Sequence, residues 1–189
     1  PHAPCMLQMP EYVSENNVDN TQIEKKSISR VDENGNVLKM TNKFHVSHYH
    51  TNMATMLKIG EWLDHLKAIG VYDNTRIILV ADHGWNLRHF EDWIVEDIKD
   101  GYGDIERYYP LLLVKDFDSK QFTTSNEFMT NADVPSIAFA GVVEKPINPF
   151  TGKEVDTKAK ENKQYVLASD KYRMYWNVGN TFVASRWYS

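Results

Sequence analysis

The chain has 189 residues, 42% of them hydrophobic, and 21 basic against 26 acidic side chains give a net charge of −5. That supports one sizeable core, while the absence of a basic stripe removes the electrostatic case for a nucleic-acid partner. No apolar run approaches the roughly 20 residues that span a bilayer, and Cys5, the single cysteine, excludes an internal disulfide framework or a cysteine-built zinc site.

Residues 1–12, "PHAPCMLQMPEY", carry three prolines and no periodicity, and so read as an extended loop. Residues 13–26 are polar surface loop. In "SISRVDENGNVLKM", Asn34-Gly35 stands between two β-capable runs and predicts a hairpin. From Ser47 to Ile69 the spacing predicts a helix, with Tyr49, Met53, Met56, Gly60, Leu63 and Leu66 on one stripe, widened by Leu57, Ile59 and Trp62. Gly70 is placed to stop it in the left-handed region. "VYDNT" is then a turn and "RIILVA" a strand, whose unbroken apolar run suits a parallel sheet covered on both faces.

"NLRHFEDWIVEDIK" is expected to be a helix opened by Asn86, with Phe90, Trp93, Ile94 and Val95 inward, broken by "GYGD". "YYPLLLV" is a second buried strand, with Pro110 near its start. "NADVPSIAFAGV" predicts a short helix capped by Asn131, with Pro135 in its first turn and Gly141 at its end. "NPFTGKEV" is a turn-rich loop. "QYVLAS", "KYRMYWNV" and "NTFVASRWY" read as short strands, the last two joined around Gly179-Asn180. The order of elements predicts an α/β layered domain over residues 1–189, with small antiparallel strands over 160–189.

In open α/β sheets, ligands bind beyond the carboxyl ends of the strands, and "ILVADHG" delivers Asp82 and His83 there. A charge at the end of a buried strand is costly unless paired or metal-bound. A carboxylate beside an imidazole suits a divalent cation such as zinc or manganese. Adjacent strand residues face opposite sides, so convergence is expected to need a sharp turn at Gly84. The competing reading is a turn-capping Asp beside a surface His. Two ligands also do not complete a site.

Several stretches together resemble the sulfatase and alkaline-phosphatase superfamily. "VYDNTRIILVADHG" is similar to its metal-binding strand and turn, "PHAPCMLQMPEY" to the sulfatase-type loop with a His between prolines, "RYYPLLLV" to a later strand, "NADVPSIAFAGV" to the D-x-x-P-T helix, and "KYRMYWNVGNTFVASRWY" to the C-terminal strands. The block "HYHTNMATMLKIGEWLDHLKAIGVYDNT" looks closest to bacterial membrane-anchored members, namely lipoteichoic-acid-synthase-like phosphoglycerol transferases and phosphoethanolamine transferases. The resemblance runs nearly end to end, in order.

It implies an alkaline-phosphatase-like layered sheet with helices on both faces, of which this chain is the C-terminal portion. Asp82 and His83 would be ligands of a divalent metal (Zn, Mn, Mg or Ca), and His2 would donate to the oxygens of an anionic phosphate or sulfate ester. His50, which opens the family-like block, is a second substrate-binding candidate. The family's nucleophile, a Thr, Ser or modified Cys, lies in an N-terminal half that would complete the site. Cys5 lacks the C-x-P-x-R context and Met56 stands where many sulfatases carry an Asp, so no catalytic residue is assigned here. The chain alone is expected to be inactive, the sheet edge left by the missing half is expected to promote self-association, and the parent is expected on the extracytoplasmic face of a bacterial membrane or secreted. Pro1 in place of a starting Met is expected to mark a processed or cut product.

Other residues have plainer readings beside functional ones. His45 and His48 form an H-x-x-H pair without a nearby acid, and His89 reads as a lid residue or as part of a solvated helix face. Trp85 and Trp93 could border a cleft or simply pack. Arg88 and Lys115 could meet an anion, and "EDWIVEDIKDGYGDIE" reads as a solubilising helix surface without calcium-loop spacing. The competing function is a non-catalytic binding or assembly module. A Ser hydrolase is disfavoured because no G-x-S-x-G occurs.

Overall fold

The computed structural model describes residues 7–9, 11–21, 29–31, 34–35, 37–40, 43–96, 98, 103–148, 151–155, 168–169 and 187–188. The protein is mixed α/β and divides into two compact units, Pro1–Asn74 and Thr75–Ser189.

In the first unit, β1 (Leu7–Gln8) pairs antiparallel with β2 (Val13–Ser14). A polar clamp closes this segment. Asn20 Oδ1 accepts from Met9 N at 2.9 Å while its Nδ2 donates to Leu7 O. β3 (Ser29–Val31) and β4 (Val37–Lys39) form the expected hairpin, with Val31 opposite Val37 and Gly35 at φ +84° in the loop. The long helix α1 (Lys43–Ala68) begins four residues before the predicted start. It ends as expected, with Gly70 at φ +75°, Gly70 N donating to Lys67 O and Val71 N to Leu66 O, the paired bonds of a Schellman stop. Among the described residues of this unit, Leu7, Met9 and Met40 are the buried apolar ones. The buried positions on α1 are polar instead: His45, His50 and Thr51, the last bonding its Oγ1 to Ser47 O at 2.8 Å. The predicted stripe is half-buried at Tyr49, Met53, Leu63 and Leu66, whereas Met56, Leu57 and Trp62 are exposed.

In the second unit, β5 (Ile77–Val80) pairs with β6 (Leu112–Lys115) antiparallel, not in the parallel arrangement the apolar run predicts. A parallel neighbour requires a crossover, usually helical, and the described residues of the 81–111 connection contain only the 3-10 turns Glu91–Trp93 and Ile105–Tyr108 as helical structure. The apolar run still serves both faces. Cross-strand pairing places Ile78, Val80, Leu112 and Val114 on one side, and Ile77, Leu79 and Leu113 on the other. Ile77 is the buried member, a burial that contributes about 2 kcal/mol, while Val80 and Val114 remain exposed.

The helix expected over 86–99 is absent from its described residues. Backbone N–H groups there are satisfied by acidic side chains instead of i−4 carbonyls: Arg88 N donates to Asp104 Oδ2 at 2.8 Å and His89 N to Glu106 Oε2 at 2.8 Å. Asp104 and Glu106 of the acidic run are therefore not part of a solvated helix face. Asp104 is 2% exposed and also caps the Ile105–Tyr108 turn through Glu106 N.

A 3-10 turn (Asn131–Asp133) leads into α2 (Val134–Phe139). Its cap is Thr130, not Asn131. Thr130 and Asp133 form a reciprocal capping box, with Thr130 N to Asp133 Oδ2 at 2.6 Å. Pro135 lies in the first turn and Gly141 follows the helix at φ +69°, both as predicted. Ile147 and Glu154 bridge across the turn-rich loop. β7 (Ala168–Ser169) pairs antiparallel with β8 (Trp187–Tyr188), joining the ends of two of the three predicted C-terminal strands. "KYRMYWNV" lies outside the described residues. Among the described residues no helix is long and apolar enough to cross a membrane.

Candidate functional site

The site starts from the end of β5. Beyond Val80 the backbone leaves the sheet, Ala81 N donating to Leu111 O at 2.9 Å as the last rung of the pairing. Asp82 and His83 follow, with side chains 89% and 50% exposed. They converge: His83 Nε2 lies 3.7 Å from Asp82 Oδ2, and Asp82 Oδ1 accepts from His83 N at 3.0 Å. His83 Nδ1 lies 2.6 Å from Gly84 O. A carbonyl only accepts, so Nδ1 carries a proton, and in the neutral form of such a ring the lone pair is on Nε2. A metal-binding imidazole is ordinarily held this way, its second nitrogen donating to a backbone carbonyl or carboxylate. A cation about 2.0–2.2 Å from each donor can bridge a separation of up to about 4 Å, so the 3.7 Å separation of these two donors is compatible with a shared divalent ion. Among the described residues, no third His, Cys, Asp or Glu joins the pair to complete a metal-binding group.

Gly84 serves this turn differently from the expectation. It does not adopt a positive φ. It is required because the chain returns against it: a Cβ at Gly84 would collide with the Glu106 backbone carbonyl, and Gly84 N donates to Arg107 O at 2.8 Å.

Two residues missed in the sequence hold β5 at its ends. Asn131 Nδ2 donates to Ala81 O at 3.2 Å and to Asp82 O at 2.9 Å. Arg76, just before β5, donates through Nη1 to Ile137, Ala138 and Ala140 carbonyls at 3.0, 3.1 and 2.6 Å. Its Nε and Nη2 reach Asp116 Oδ1 at 2.9 and 2.8 Å, and its guanidinium lies 4.6 Å from the Phe117 ring centroid. The Phe117 N–H first, and then the Arg76 guanidinium, hold the Asp116 carboxyl below the usual carboxylate range. The turn expected at residues 71–75 gave no hint of Arg76's role. A polar residue before a proline-led helix did signal Asn131, but as a cap.

His89 is neither on a helix face nor solvated. Its Nδ1 lies 3.0 Å from Glu106 Oε1, both side chains being mostly buried. Trp85 tilts beside the His83 ring at 6.0 Å, and Trp93 packs between Phe90 and Tyr109, each at 5.1 Å. Lys115 Nζ is bonded to Thr75 O at 3.0 Å. In the first unit, His50 is 5% exposed and meets Tyr12 edge-on at 5.7 Å, while His48 packs edge-on against Phe44. His2 and Cys5 lie outside the described residues.

Compared with known proteins, the chain matches no family model, no curated protein and no solved structure.

Proposed function

We propose that the chain forms part of a divalent-cation-dependent enzyme that hydrolyses or transfers phosphate or sulfate esters, built on an alkaline-phosphatase-like layered sheet. Asp82 and His83 supply two ligands, and the remaining ligands and the nucleophile come from outside the described residues. The observation supporting this reading is the convergence of an exposed carboxylate with an imidazole whose Nδ1 is pinned to Gly84 O and whose Nε2 lies 3.7 Å from Asp82 Oδ2. The bound cation would supply charge stabilisation to an ester oxygen and activation of an oxygen nucleophile. The chain's own part is to hold Asp82 and His83 in register at the sheet's end, and His2 would donate to the ester's oxygens. The substrate is an anionic ester, and the parent protein works outside the cytoplasm, at a bacterial membrane surface or secreted.

The test is a titration of the purified 189-residue chain with Zn²⁺ and with Mn²⁺, followed by NMR. Zn²⁺ shifts and Mn²⁺ broadening focused on Asp82 and His83, lost in Asp82→Ala and His83→Ala, are expected. Titrations that leave both residues unperturbed at millimolar ion overturn the reading in favour of a non-catalytic module. The chain alone is expected to show no turnover of aryl phosphates or sulfates.

A further inference from the structure

We propose that Asn131 is the positioning residue of the Asp82–His83 pair, fixing the peptide from which both side chains project. The inference rests on the metal-site reading above and names the element that controls that site's geometry. The Asn131 amide nitrogen faces two carbonyls, Ala81 O and Asp82 O, and since both can only accept, its two N–H groups point at them. Those two peptides flank the carboxylate-bearing residue. Rotating either one moves the Asp82 side chain, and rotating the second also moves the His83 N–H that bonds Asp82 Oδ1.

Asn131 is itself held. It sits inside the Thr130–Asp133 capping box, and the helix it introduces is gripped at its far end by Arg76, the residue before β5. The 131–140 segment is thereby tied to both ends of β5: five hydrogen bonds, three from Arg76 and two from Asn131, join them. β6 pairs with the strand but ends its pairing before Asp82. Past that point the Asn131 amide bonds the Asp82 carbonyl directly.

The test compares wild type, Asn131→Ala, Asn131→Ser and Asn131→Asp. The Asp variant keeps shape but turns an acceptor toward two acceptors. Zn²⁺ affinity is read by calorimetry, the melting temperature by circular dichroism, and the His83 tautomer by ¹⁵N NMR without metal. Expected results are a Zn²⁺ affinity lowered about tenfold or more in N131A and N131D, an intermediate loss in N131S, a largely unchanged melting temperature, and mixed Nδ1–H and Nε2–H tautomers for His83. A wild-type tautomer and affinity in N131D overturn the positioning role while leaving the metal site standing. A wild type that binds no Zn²⁺, with a tautomer still dependent on Asn131, overturns the metal reading and keeps the positioning role.

Discussion

His89 and the Glu106 carboxylate are joined twice: ring Nδ1 meets Oε1 at 3.0 Å, and the His89 backbone N–H donates to Oε2 at 2.8 Å. One mostly buried side chain thus fixes both the course of the 84–90 loop and the orientation of a ring within it. Glu106→Ala removes both acceptors together and is expected to destabilise the fold by about 2 kcal/mol. Glu106→Gln retains one acceptor and should lose less. Urea denaturation measures both, and equal losses would contradict the double role.

Gly84→Ala tests the close passage of the chain beneath the Asp82–His83 turn. Its methyl would meet the Glu106 carbonyl, which is backbone and cannot rotate aside. A destabilisation of about 1–3 kcal/mol is expected, and with it, on the proposed metal reading, a loss of Zn²⁺ binding at Asp82 and His83, because the whole turn must shift. A variant of wild-type stability would remove the steric account of this glycine.

Arg76→Ala should release α2 from the start of β5. Its guanidinium serves three carbonyls and a carboxylate, and amide exchange at Ala140 and Val142 is expected to speed up about tenfold, the equivalent of about 1.4 kcal/mol. Arg76→Lys should behave like Ala, since an ammonium cannot reproduce the planar fork.

The acid side of the stability profile should carry a contribution from Asp116. Its folded pKa is depressed, first by the Phe117 N–H and then by Arg76, from the ordinary 3.8. The stabilisation is therefore complete above that value and is lost as pH falls below it through the lower folded pKa. Side-chain carboxyl NMR should show Asp116 titrating later on acidification than an unpaired aspartate, and Arg76→Ala should move it upward. Because the group is exposed, the energetic effect is small.

Gly70→Ala places a Cβ at φ +75° in otherwise open space. The cost is conformational and not steric, about 1 kcal/mol, and should appear as fraying of the last turn of α1 by hydrogen exchange.

Local chemistry made the local elements legible. Asn34-Gly35 marks its hairpin, Gly70 its helix end and Gly141 the end of α2, because each signal acts within a few residues. The Asp82–His83 juxtaposition was also readable, since both lie in one short stretch. What could not be read depends on partners distant in sequence. Strand direction turned on how residues 81–111 return, and the 86–96 segment lost its helix to acceptors supplied by Asp104 and Glu106. Acidic composition looks the same whether carboxylates face water or receive backbone N–H groups. Asn131 showed the right residue type for a cap but spends its amide fifty residues upstream in the chain.

The two ties between β5 and the 131–140 segment have a mechanical meaning. Arg76 and Asn131 grip opposite ends of a short overlap, so sliding the helix along the strand loads both at once, as a lap joint loads in shear, whereas lifting one end would peel them one after the other. Thermal escape of α2 in a sliding direction should consequently be all-or-none.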